Sequence, residues 1–164
     1  MAQYKIYNGP SPTTAAQVSV ATGAVIKTLL QVQVSATLGA HVVEWGVSFN
    51  GAAVAAAVEA ELLETNVAAT VTAHVSSGIN RWDAEAVQGG DPTTNLILVG
   101  TAATGYTASA EGAITATRML DAQFVDPAMG YVLQFPLGER PYMQPGSFFY
   151  RVRVTAPATV NALC

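Results

Sequence analysis

Residues 28–36 read Thr-Leu-Leu-Gln-Val-Gln-Val-Ser-Ala, and their alternation decides the fold class. Leu30, Val32 and Val34 fall on one side of an extended chain, and Gln31, Gln33 and Ser35 on the other. A period of two is what a half-buried β-strand shows, because its successive side chains point to opposite faces. Gly39 interrupts the pattern, and residues 41–49 resume it with Val43, Trp45, Val47 and Phe49 on one side. Asn50-Gly51 follows as a turn signal, since both residues tolerate positive φ.

Reading outward, residues 52–66 carry two signals. Ala, Glu and Leu favour a helix by propensity, yet Val58, Ala60 and Leu62 alternate with Glu59, Glu61 and Leu63 between flanking strands, so a strand is expected. Residues 67–75 read as another. Periodicity fades over 76–112, where Ser76-Ser77-Gly78, Gly89-Gly90-Asp91-Pro92 and the run from Gly100 to Gly112 supply turn chemistry and only 95–99 look regular. A long irregular insertion of this kind is often functional. Strand patterns return at 113–125, 131–135, 147–155 and 159–164, with Asp126-Pro127 as a turn and Pro136, Pro141, Pro145 and Pro157 between runs, where missing N–H donors do least harm. Short strands with Gly/Pro punctuation predict an all-β, two-sheet antiparallel sandwich of jelly-roll type. The expected division is an extended N-terminal arm over 1–24 and a β-sandwich domain over 25–164. No internal repeat is visible.

A chain of 164 residues suits one such domain and needs neither disulfide nor metal to stabilise it. Hydrophobic residues make up 51% and charged residues 11%, against a usual charged share of about 25%. That composition opposes disorder and leaves a surface of Thr, Ser, Ala, Gln and Gly. Such a surface suits either a protein packed against partners or a robust monomer. The net charge is -4, and Lys5, Lys27, Arg81, Arg118, Arg140, Arg151 and Arg153 are scattered rather than striped, so no nucleic-acid partner is expected. Cys164 is the single cysteine, which excludes an intrachain disulfide. The N-terminus lacks a basic start followed by an apolar run. The longest apolar stretch, 52–58, is far below the ~20 residues of a membrane helix. A soluble chain made in the cytoplasm, with no membrane partner, is the expectation.

Candidate chemistry is sparse. His41 and His74 stand alone in predicted strands, without the Cys, His or carboxylate spacing of a zinc site. A Ser-His-Asp triad assembles in space and stays open on that ground, but the chain has no Gly-x-Ser-x-Gly elbow. Glu59, Glu61 and Glu64 form the densest acidic group, read either as paired carboxylates or as a solvated sheet face. Asp83, Glu85 and Asp91 offer calcium oxygens without EF-hand spacing. The glycine pairs lack the Lys of a phosphate loop. No cofactor and no enzymatic activity are expected. Trp82, within Asn80-Arg81-Trp82-Asp83, is either an interface anchor together with Arg81 or a plug against its own domain. Tyr106, Tyr142 and Met143 are weaker anchors. Arg151 and Arg153 share one face of a strand whose other face carries Tyr150, Val152 and Val154. They either discourage edge-to-edge pairing or meet acidic groups of a neighbouring chain.

Several stretches together carry a resemblance: 61–65 (ELLET), 67–73 (VAATVTA), 111–117 (EGAITAT), 135–141 (FPLGERP), 151–157 (RVRVTAP) and 161–164 (NALC). They resemble a family of small proteins of actinobacterial phages and prophages, and the chain is similar to the jelly-roll decoration, or cement, proteins of phage heads. The first resemblance covers most of the chain from about Trp45 onward. It implies a virion protein on the capsid surface, with the major capsid protein as partner and a homo-oligomer, a trimer favoured. No catalytic residue comes with it. The competing expectations are a carbohydrate- or host-surface-binding module of a tail or fibre, with a groove lined by Trp82 and Tyr106, and a hydrolase built on His41 or His74.

Overall fold

Most expected strands form, over shorter spans, and pair antiparallel; of the stretch expected to be regular at 95–99, the described residues make only an isolated bridge, Ile97 to Val34. The computed structural model describes residues 3–50, 56–82, 96–100 and 103–164. In chain order these hold β1 (Tyr4–Ile6), β2 (Val20–Ala21), β3 (Lys27–Val32), β4 (Ala40–His41), β5 (Glu44–Asn50), β6 (Val58–Thr65) and β7 (Thr70–Ala73). A 3-10 turn at Ser76–Gly78 leads into β8 (Ile79–Arg81). Then come β9 (Gly105–Ala110), β10 (Thr117–Val125), β11 (Tyr131–Gln134), β12 (Tyr142–Met143), β13 (Phe149–Thr155) and β14 (Asn161–Leu163). One sheet has the order β10-β6-β13-β3-β9-β7 and the other β11-β5-β14-β2, while β1-β8 and β12-β4 form two small ribbons. The chain is an all-β antiparallel sandwich. Segment 52–66 resolves as strand over Val58–Thr65, because its alternation matches the sheet it joins while its helix propensity earns no tertiary contact.

The two sheets enclose a core in which Leu30, Trp45, Val47, Ala60, Leu62, Val152 and Val154 are buried together. Two bulges refine the alternation. Val152 faces Leu30 and Arg153 faces Thr28, so Leu29 is an extra residue in β3, and both leucines join the same core. Leu120 is likewise extra in β10, between the pairs Met119↔Leu63 and Asp121↔Leu62. A bulged residue changes which side its neighbours face.

The outer side of the six-stranded sheet is covered over its middle strands. Residues 66–69 link β6 to β7, and 111–116 link β9 to β10; both straps cross β13 and β3. They bond to each other through Asn66, whose Nδ2 donates to Thr115 Oγ1 (2.8 Å) and whose Oδ1 accepts from Ala116 N (3.1 Å). Beneath them Arg151 is fully buried. Its guanidinium donates to the carbonyls of Val67 and Glu111 and pairs with the Glu111 carboxylate at 3.2 Å. Glu111 also accepts from the Thr28 amide and hydroxyl, each at 2.6 Å, and the Gln31 side chain accepts from Ala69 N at 2.8 Å. Burial holds the Arg151 guanidinium below its usual range, with Glu111 opposing that shift.

This layer corrects two expectations. Arg151 and Arg153 do share a face, but β13 is interior to its sheet, so neither guards an edge. Arg153 pairs with Glu61 of the adjacent strand at 2.8 Å. Glu61 and Glu64 are therefore buried rather than solvated, because each has a cation beside it and a paired charge tolerates burial.

Residues 3–24, expected as an extended arm, contain only the short β1 and β2 but are fastened to the body. The buried Asn8 donates through Nδ2 to Ala162 O (3.0 Å) and accepts from Cys164 N (3.0 Å). Thr22 exchanges bonds with Val160. The region 76–112, expected to be irregular, also supplies β8 and β9. Small residues hide β9 from periodicity, and Gly105 must lack a side chain, since a Cβ there would sit 2.4 Å from Thr72 O. Gly51, Asp83, Glu85, Gly89-Gly90, Asp91 and Asn95 lie outside the described residues.

Candidate interaction surface

β10 and β11 are edge strands of different sheets, yet they stand at the same margin of the sandwich. Asp121 of β10 closes that margin. Its Oδ2 accepts from Trp45 Nε1 (3.1 Å) and from the Tyr131 hydroxyl (2.8 Å), and its Oδ1 accepts from Gln123 Nε2 (3.1 Å). The Trp45 and Tyr131 rings meet edge-to-face at 5.3 Å, a favourable aromatic geometry. Burial, then the bond to Asp121, pushes the Tyr131 hydroxyl up to about 12, so it remains a donor at neutral pH.

Outside this clasp the two edge strands and their turns display apolar side chains among polar ones. Among the described residues, Leu137 (86% exposed), Met129 (83%) and Phe124 (77%) are the most exposed large hydrophobic side chains; Phe124 is on β10, and Met129 and Leu137 flank β11. Phe124 lies opposite Glu59 on the outer side of β10. Val132, also exposed, lies over Gly46 on the outer side of β11. Met129 sits in the turn whose amides bond Asp126, and Leu137 in the turn closed by the Glu139 amide on Pro136 O, where Gly138 takes φ 97°. These two turns lie beyond the ends of β11, and their apolar residues are displayed. Both edge strands also leave one row of backbone donors and acceptors outside the pairing of their own sheets.

One end of β10 is tied to the β12-β4 ribbon. Arg118 donates to Glu64 (2.6 Å) and to Tyr142 O (3.3 Å). Glu64 also accepts a short bond from the Tyr150 hydroxyl, which itself accepts from the Gln144 amide. Burial first, then the bond to Glu64, pushes the Tyr150 hydroxyl up to about 12.

Of the residues singled out in the sequence, Arg81 and Trp82 end the β1-β8 ribbon. Arg81 pairs across from Tyr4, and the Trp82 amide donates to Gln3 O. Trp82 is exposed, with Lys5 Nζ 4.8 Å from its ring centroid. Tyr106 does not line a groove with it; its ring packs on His74 at 4.8 Å. Tyr142 belongs to the separate β12-β4 ribbon, half-exposed, with His41 at 5.1 Å between ring centroids, and its neighbour Met143 is buried. His74 is buried and bonds the Tyr7 carbonyl, whereas His41 is exposed and lies 3.3 Å from Arg140 O. An open depression of about 340 Å³ runs between Thr22, Val25, Ile26, Ser109 and Glu111, where Glu111 is committed to Arg151 and the Lys27 ammonium to Ala21 O. No group of three His, Cys, Asp or Glu residues suited to a metal occurs among the described residues.

The margin residues escaped the sequence reading. Phe124 beside Val125 was one available signal, because strict alternation cannot bury both. Met129, two residues after Pro127, and Leu137, directly after Pro136, were another.

No known family profile matches the chain, and neither a curated protein nor a solved structure matches it. No helix among the described residues is long and apolar enough to cross a membrane.

Proposed function

We propose that this chain is a structural protein of a bacteriophage virion, a decoration (cement) protein that binds the outer head surface and stabilises capsid subunit junctions as a homo-oligomer. One observation carries the reading: among the described residues the most exposed large apolar side chains, Leu137, Met129 and Phe124, lie on the edge strand β10 or in the turns at either end of the edge strand β11. Exposed apolar clusters mark protein contacts, and a weakly charged surface lowers the desolvation cost of covering it. The jelly-roll resemblance of the sequence points the same way, and the fastened N-terminus and the strap layer suit a module that must hold its shape under load.

The test is occupancy on purified particles. Phe124→Lys combined with Val132→Lys places two charges on the margin without touching the core. Particle affinity is expected to fall about 30-fold or more, the effect of losing an interface anchor worth at least ~2 kcal/mol, with an unchanged melting temperature. Full occupancy by this variant, or absence of the wild-type protein from particles, overturns the proposal. Trp82→Ala is expected to weaken particle binding about 10-fold while leaving the isolated fold intact. Unchanged binding would mean that Trp82 serves only to pack on Lys5. The runner-up, a carbohydrate- or host-surface-binding module, draws on the exposed Trp82 ring beside Lys5 and Arg81, and a glycan array with wild-type and Trp82→Ala chains separates the two.

A further inference from the structure

We propose that His74 is an acid-sensitive latch holding the N-terminal segment and the Trp82-bearing ribbon on the sandwich. The inference is independent of the virion reading. His74 joins four parts of the chain. Its amide donates to Thr104 O (2.9 Å), its carbonyl accepts from Gly100 N (3.0 Å), and its ring packs on Tyr106 of β9. Its Nε2 lies 2.8 Å from the Tyr7 carbonyl oxygen, just beyond β1. A carbonyl only accepts, so Nε2 carries the proton and the neutral ring has a bare Nδ1. Nδ1 is turned toward Gly78, the residue that leads into β8, where an added Cβ would lie 2.4 Å away.

The neutral ring thus satisfies its single donor. A second proton would sit on Nδ1 against the Gly78 α-carbon, and the charge would be buried, since His74 is only 1% exposed. The groups that face the ring are the Tyr7 carbonyl, the Tyr106 ring and Gly78; among the described residues no Asp, Glu, Lys or Arg touches it. A buried cation without a counter-charge is unfavourable. Burial is the larger influence on the ring and lowers its proton affinity, outweighing the bond to Tyr7.

The sign follows from linkage. A detached segment leaves His74 in water with a pKa of about 6.5, whereas the closed state holds it lower. The detached state therefore binds more protons, and closed-state stability is lost as pH falls through about 6.5 and below. Because β1 pairs with β8 over Tyr4↔Arg81 to Ile6↔Ile79, and Trp82 N bonds Gln3 O, release at Tyr7 and Gly78 loosens the whole ribbon and re-aims Trp82.

Hydrogen exchange on the full chain, corrected for intrinsic rates and run at about pH 7.5 and about pH 5, tests this. Protection of peptides covering residues 3–8 and 76–82 is expected to fall about tenfold or more in acid, with β13 unaffected. His74→Gln retains a donor for Tyr7 O and cannot titrate, so its protection is expected to be the same at both values. Wild-type protection that survives acid, or an equal acid loss in His74→Gln, overturns the latch. Should the variant not fold, an NMR titration of His74 in the wild type decides: a midpoint below about 6.5 that coincides with loss of protection supports the latch, and one at or above it overturns it.

Discussion

Arg151→Ala is expected to lower the unfolding free energy by about 3–5 kcal/mol, the usual cost of breaking a buried ion pair from one side. The side chain is fully buried, and three groups lose the guanidinium at once: the Glu111 carbonyl, the Glu111 carboxylate, which keeps its bonds from Thr28, and the Val67 carbonyl, which keeps the Thr65 hydroxyl. Each is a strap group that the buried guanidinium bonds from beneath. Arg151→Met keeps much of the volume but none of the donors, and should recover little of the loss. By contrast, Lys5→Ala removes a half-exposed pair with Glu44 at 3.8 Å and an exposed contact with the Trp82 ring, and such surface interactions each contribute only about 0–1 kcal/mol. Urea unfolding midpoints check the contrast. A midpoint for Arg151→Ala close to wild type would mean that the straps are held by apolar packing instead.

Leu29→Ala is expected to cost about 2–5 kcal/mol, the range for truncating a buried leucine to leave a cavity. Simple alternation puts Leu29 on the face opposite Leu30, and truncating a surface side chain usually changes stability by only about 0.5 kcal/mol. The bulge opposite Val152 and Arg153 removes that distinction, placing Leu29 and Leu30 in one core with no exposure left to Leu29. The measured midpoint therefore tests the burial of Leu29 in this core. A loss below about 1 kcal/mol would mean that Leu29 is not enclosed there.

Much of the architecture was legible in short windows. Trp45, Val47 and Phe49 face the core as their spacing requires, and Tyr150, Val152 and Val154 do the same on β13. The shared face of Arg151 and Arg153 was legible too, but not what covers it. A guanidinium on a solvated edge and one beneath a strap have the same sequence signature, and their partners, Glu61 and Glu111, lie 92 and 40 residues away. The candidate surface was legible only in part. Trp82 was singled out as either an anchor or a plug and proves exposed, whereas the margin at Phe124, Met129, Val132 and Leu137 depends on β10 and β11 being the edges of their sheets.

Period-two alternation and turn residues are local consequences of backbone geometry, so the linear chain alone already implied strands, turns and an all-β class. Three-dimensional packing decided which strands lie at the edges, where Leu29 and Leu120 are inserted, which face the straps roof over, and which carboxylate each arginine meets. Those outcomes turn on contacts between distant segments, whose free energy no short window contains.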